Sequence, residues 1–214
     1  MSDTGRHISK GWVATWCVVA ILAIDQAIKI WVKTHMRLHD SIDIASWFKI
    51  SFIENNGMAF GMEIGSKLFL SGFRILAIVA MTYYIYLLVR QQVKWGYLIC
   101  LSMVLAGAVG NVIDCMFYGL IFTPSTPYLI AEVVPFGEGY APFLMGRVVD
   151  MFYFPLIETN WPEWMPFVGG EHFVFFSPVF NFADSCVSVG IVLLLIFYRK
   201  EISQITFRKP ANEN

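Results

Sequence analysis

The stretch Gly107-Ala-Val-Gly-Asn-Val-Ile-Asp114 closes a long apolar run on an ionisable residue. Whether that run is a core helix or a membrane crossing decides the fold. The whole chain answers: of 214 residues, 57% are hydrophobic and only 14% are charged, with a mean hydropathy of +0.61. A soluble domain carries about a quarter charged residues. Four apolar segments approach the length of a bilayer crossing, at about 12–33, 68–89, 95–118 and 178–198. They predict an all-α membrane protein with four transmembrane helices, forming one domain over 1–214. Within it, Asp114 is a carboxylate that hydrocarbon should reject, so it needs a reason to be there.

The first segment follows a basic lead of Arg6, His7 and Lys10, which also fits a cleaved signal peptide. No small-x-small cleavage site follows it. The run leads instead into Asp25-Gln-Ala-Ile-Lys29, whose two charges are spaced i, i+4 and can pair.

Between the first two helices lies a mixed loop, about 34–66. There Trp47-Phe-Lys-Ile-Ser-Phe-Ile53 alternates as a half-buried strand does, and runs into Glu54-Asn-Asn-Gly-Met-Ala-Phe-Gly61 with its Asn-Gly turn signal. A small β-rich cap on the outer membrane surface is expected. The outer loop at about 119–177 holds seven of the nine prolines, which argues against long helices and central strands in it. Its Trp161 and Trp164 suit an interfacial seat.

Basic residues set the orientation. One side holds Arg6, Lys10, Arg90, Lys94, Arg199, Lys200, Arg208 and Lys209; the other holds Arg37, Lys49, Lys67 and Arg147 in longer loops. Eight against four places both termini in the cytoplasm. A net charge of −1 argues against nucleic acid as a partner. Cys17, Cys100, Cys115 and Cys186 read as free thiols in apolar surroundings. His35, His39 and His172 lack partners at ligand spacing, so neither a metal nor another cofactor is expected.

Depth then groups the polar residues. Asp114 lies about 28 Å above Trp95 and Asp184 about 22 Å above Arg199, which puts both in the outer half of antiparallel helices. Asp25 and Lys29 climb to the same zone. Asn111 precedes Asp114 by three residues and Asn181 precedes Asp184 by three, so each acid shares a helix face with an amide. Two carboxyls close together in a low dielectric cannot both ionise readily. One can activate a water while the other, protonated, polarises a carbonyl and protonates a leaving nitrogen. On this reading Asp114 and Asp184 are the catalytic dyad of an aspartic peptidase.

Five boxes in order resemble the lipoprotein signal peptidase (signal peptidase II) family. They are Asp25-Gln-x-x-Lys29, Asn55-x-Gly57-x-Ala59-Phe60, Gly110-Asn111-x-x-Asp114, Val148-Val149-Asp150 and Phe180-Asn181-x-Ala183-Asp184. The resemblance implies an aspartyl endopeptidase of the bacterial inner membrane that cleaves prolipoproteins before the diacylglyceryl-cysteine. It also implies contact with membrane lipid, inhibition by globomycin-type cyclic peptides, and an active site near the outer leaflet that substrate reaches laterally. Asn111, Asn181, Asn55, Gly57, Asp25, Lys29 and Asp150 are then expected to bind or position substrate. Asp150 is expected to anchor the outer loop. The chain departs from the family in having Cys115 where an arginine usually follows the third-helix aspartate, with Arg147 or Lys29 as possible sources of that charge. The loop from Tyr118 to Gly146 is also longer than the family needs.

Two rival readings carry their own discriminators. A proton-coupled transporter or channel also uses paired intramembrane acids, but its polar residues should continue to both faces. A catalytically inactive relative that only binds lipoproteins has Cys115 as its one hint in the sequence, and globomycin-sensitive cleavage in detergent separates it from the enzyme.

Overall fold

A computed structural model describes residues 9–55, 64–91 and 93–203. Helix α1 (Lys10–His35) starts where the Ser9 side chain accepts the Trp12 N–H, and runs about 39 Å. Helices α2 (Ile64–Arg90) and α3 (Trp95–Ile113) follow. A π-helical turn, Asp114–Tyr118, continues α3 into the short α4 (Gly119–Ile121). Helix α5 (Phe182–Phe197) and α6 (Arg199–Ser203) close the described chain.

Three of these segments, Lys10–His35, Lys67–Arg90 and Trp95–Ile121, are long and apolar enough to cross a membrane. The third is the hub: 61% of its most apolar window is buried, against 17% and 11% for the other two. Residues such as Trp16, Val19, Phe69, Phe73 and Leu76 are left exposed, a surface suited to lipid rather than water. The contact of α3 with α5 needs small residues. A Cβ on Gly107 would sit 2.3 Å from the Ala183 carbonyl oxygen, and one on Gly110 would sit 2.7 Å from Asp25 Oδ2. Without them α3 could approach neither α5 nor Asp25 of α1 this closely.

The cap is β-structured. Strands β1 (Ser41–Ala45), β2 (Phe48–Asn55), β3 (Val148–Tyr153) and β6 (Val179–Phe180) form an antiparallel sheet in the order β1-β2-β3-β6. A second hairpin pairs β4 (Ile157–Asn160) with β5 (His172–Phe175). In the main sheet Ile53 lies opposite Asp150, Glu54 opposite Val149 and Asn55 opposite Val148, after a register shift between Ile50 and Ile53. Two apolar clusters result. One joins Ile85, Leu88, Leu98, Leu101, Leu105 and Leu194; the other joins Val32, Met36, Phe52, Tyr118, Phe122 and Met151 under the sheet.

Several expectations change. The small β-rich cap is present as expected, as an antiparallel sheet carried on apolar helices, but the described helices long enough to cross a membrane number three, with the shorter α5 beside them. The fourth apolar segment does not start at residue 178. Val179 and Phe180 pair with β3, Asn181 caps, and the helix starts at Phe182. The proline-rich loop does contain a central strand, because β3 fits between Pro142 and Pro155, where no proline interrupts it. The strand expected at residues 47–53 is β2, and the mixed loop before it supplies the edge strand β1. The Asn56-Gly57 turn signal lies outside the described residues.

Candidate active site

Between the two apolar clusters lies a layer of buried polar side chains: Asp25, Lys29, Asp114, Asp150 and Asn181. It sorts into two groups of carboxylates.

The first group is a closed knot. Lys29 Nζ lies 3.0 Å from Asp25 Oδ2 and 2.8 Å from Asp114 Oδ2, with all three side chains fully buried. Gln26 Nε2 donates to Asp114 Oδ1 at 2.9 Å and to Asp25 Oδ2 at 3.1 Å, while its own oxygen accepts the Tyr118 hydroxyl. The Ala183 N–H donates to Asp25 Oδ1 at 3.0 Å, and the Val149 N–H to Asp114 Oδ2 at 3.4 Å. Buried carboxylates with a lysine and several donors have their charge compensated in place. The knot also fastens three elements to α1: Asp25 holds the first turn of α5, and Asp114 holds β3.

The second group consists of Asp184 and Asp150. Asn181 is the N-cap of α5; its side-chain oxygen accepts the Asp184 N–H at 2.8 Å, and Asp184 Oδ2 accepts the Asn181 N–H at 3.3 Å. This capping box satisfies donors that the first turn of a helix leaves without intrahelical partners. The same Asn181 reaches Asp150, donating from Nδ2 to Oδ1 at 2.7 Å. Asn111 Nδ2 donates to Asp184 Oδ1 at 2.7 Å, and Asn111 Oδ1 accepts from both Lys29 and Asn181. Burial, and then the Asp184 charge beside it, push the Asp150 carboxyl up to about 7 against the opposing pull of the Asn181 bond.

The expected partnership of Asp114 with Asp184 is thus not what the side chains build. The bond path between them runs through Lys29 and Asn111, and Lys29 neutralises Asp114 directly. The acid that shares a residue with Asp184 is Asp150, through Asn181. Asp25, Lys29, Asn111 and Asn181 all lie in the layer as expected. Asn55 ends β2 opposite Val148, and Gly57 lies outside the described residues.

Sequence reasoning missed a third cluster, one helical turn above Lys29. Lys33 is buried against Glu54, with Ser125 Oγ at 2.9 Å and the rings of Phe122 and Tyr140 beside it. Arg147 Nη1 donates to Glu54 Oε2 at 3.1 Å, and Ser125 to Glu54 Oε1 at 2.7 Å. The signal was present: Asp25, Lys29 and Lys33 recur every four residues on one face of α1. Arg147 is therefore engaged with Glu54 and Lys29 with the knot. Cys115 is buried, and its carbonyl accepts the Gly146 N–H at 2.9 Å.

Comparison with known proteins gives a consistent result. A family model described as signal peptidase (SPase) II matches residues 17–199. A lipoprotein signal peptidase of Porphyromonas gingivalis is 54% identical over 207 residues, covering 95% of this chain and 90% of the relative. One from Amoebophilus asiaticus is 34% identical, covering 95% and 85%. Among solved structures, a bacterial membrane enzyme determined by the in meso method matches with a TM-score of 0.59 at 22% identity, covering 88% of this chain and 94% of that one, which bears on the fold alone.

Proposed function

The chain belongs to the signal peptidase II family, and from that premise we propose that it cleaves lipid-modified prolipoproteins before the diacylglyceryl-cysteine, with Asp150 and Asp184 as the catalytic pair. The observation that carries the reassignment is Asn181, which binds both carboxyls while Lys29 neutralises the alternative, Asp114.

The division of labour follows from the surroundings. Asp150 holds a proton near neutral pH and acts as the acid. Asp184, bound by the Asn111 amide, is the base. A water gives a proton to Asp184 as its oxygen bonds to the scissile carbonyl carbon. Asp150 donates a hydrogen bond to the carbonyl oxygen, then its proton to the leaving nitrogen as the C–N bond breaks. Proton return from Asp184 to Asp150 resets the pair. Asn111 and Asn181 orient the acids. Asp25, Lys29 and Asp114 position α5 and β3, and Asn55 at the end of β2 meets the substrate backbone.

Placement completes the proposal. Helix α5 makes the fourth crossing of the inner membrane, with both termini cytoplasmic and the acids in the outer leaflet. Its 16 residues span about 24 Å, short of the hydrocarbon thickness of about 30 Å. A helix that begins below the outer surface needs no more, and its capping box suits such a start. Substrate arrives laterally from the bilayer, and globomycin-type peptides compete for the same cleft. Purified enzyme should release the signal peptide from a lipidated precursor, be blocked by such a peptide, and lose cleavage in Asp184→Asn. Uninhibited cleavage by Asp184→Asn would end this reading.

A further inference from the structure

Beside Asp184 the sheet overhangs α5 and encloses a cleft of about 560 Å³. Its roof is aromatic. Phe48 stacks on Phe154 at 4.8 Å between ring centres, Phe154 stacks on Phe180 at 5.6 Å, and Phe152 meets Phe180 edge-on at 6.1 Å. Its floor is α5, with Asp184 at one end and Ser188 and Val189 further along. Val189 is 48% exposed, and Val192 and Ile196 continue the exposed apolar face down the helix. The cleft therefore runs from a catalytic carboxylate out to the surface that faces lipid.

The wall chemistry selects the occupant. A peptide strand laid along these phenyl rings would bury most of its backbone N–H and C=O groups unpaired, because the edge strand β6 is only two residues long, at a cost of about 1–3 kcal/mol each. The Ser185 hydroxyl is already donated to the Asn181 carbonyl at 3.0 Å. A helix, at about 10–12 Å across, is too wide for a space of this volume. A hydrocarbon chain has no polar group to strand and gains from every methylene buried. We propose that this phenylalanine cleft is the acyl-chain subsite of the enzyme, holding one chain of the substrate's lipid group with its glyceryl end at Asp184. The inference rests on the peptidase reading above, since cleavage beside the lipidated residue brings that group to the acids. Stacked rings fix the width, so the cleft measures chain length and branching.

A diacylglyceryl peptide carrying a photoreactive diazirine in one acyl chain tests the site directly. Photolysis with the wild-type enzyme in nanodiscs should place adducts on Phe152–Phe154, at the end of β3 and just beyond it, or on α5 residues Ser185–Val189. A phospholipid with the same photoreactive chain should label them at least about tenfold less. Equal labelling by the phospholipid would make the cleft ordinary boundary-lipid surface and overturn the proposal. So would adducts confined to other segments. In parallel, Ser188→Trp, which fills the cleft, should lower the ratio of kcat/KM for long-chain over short-chain substrates about tenfold, the loss of a few buried methylenes. An unchanged ratio would contradict the subsite. Cleft adducts without any cleavage by the wild-type enzyme would instead sink the peptidase reading and leave the lipid site standing.

Discussion

Two pairs of carboxylates sit within one polar layer, Asp25 with Asp114 fully buried and Asp150 with the partly exposed Asp184, and on the proposed function the difference between them separates scaffold from chemistry. Asp25 and Asp114 share a lysine, and every oxygen around Lys29 is engaged by a donor. Asp150 and Asp184 share only an amide, so their mutual repulsion stays in place. A compensated charge is inert and holds helices together. An uncompensated pair keeps one proton in dispute, which is what acid–base work requires.

The largest effect should come from the uncompensated side. Asp184→Asn should lower cleavage by about 10²–10⁴-fold, the range for losing a general base, with thermal unfolding in detergent little changed because Asn181 remains the N-cap of α5 and the new amide oxygen can still accept the Asn181 N–H. The compensated side should respond the opposite way. Lys29→Met strands two buried carboxylates and should cost about 3–5 kcal/mol of stability, read as a lower unfolding midpoint. If Lys29→Met is as stable as the parent, the knot is not the scaffold described here.

The Lys33–Glu54 pair extends the comparison. Lys33→Met or Glu54→Leu alone should destabilise the cap by a similar amount, whereas the double variant should recover most of it, since apolar residues of like volume can replace a buried ion pair. A double variant no better than the singles would show that the charges matter beyond filling space, and a double-mutant cycle on unfolding measures this.

A smaller and more specific effect is pH dependence. Asp150 has an ordinary value of 3.8 and is raised to about 7 in the fold. The folded state therefore binds this proton more tightly than the unfolded chain does. The contribution is complete below about pH 4 and is lost as pH rises to about 7. Asp150→Asn should gain stability relative to the parent above pH 7 and show no such gain near pH 4. The parent's cleavage rate should fall on the alkaline side of about pH 7 as the acid is lost.

Much of this layer was legible in the chain. The i, i+4 spacing of Asp25 and Lys29 gave their ion pair, and depth arithmetic brought three helices to one level. The repeated Asn-x-x-Asp pattern was the misleading part. At Asn181–Asp184 it is a capping box at a helix start, while at Asn111–Asp114 it lies within a continuing helix, where the Asp114 N–H bonds backward to Asn111 and Gly110 carbonyls. Equal spacing concealed two different environments. Asp150 takes its neighbours from strand register and from a cap 31 residues away, which no local pattern encodes. Proline counting hid β3 for the same reason: the prolines bound the strand rather than interrupt it.

The most direct test of the account sets Asp150→Asn beside Asp114→Asn, both as purified enzymes turning over one lipidated precursor. Asp150→Asn should fold and fail to cleave, losing about 10²–10⁴-fold. Asp114→Asn should keep measurable turnover while unfolding at a lower temperature than the parent. The reverse pattern, with Asp150→Asn active and Asp114→Asn folded but inert, would return the catalytic role to Asp114 and contradict the assignment.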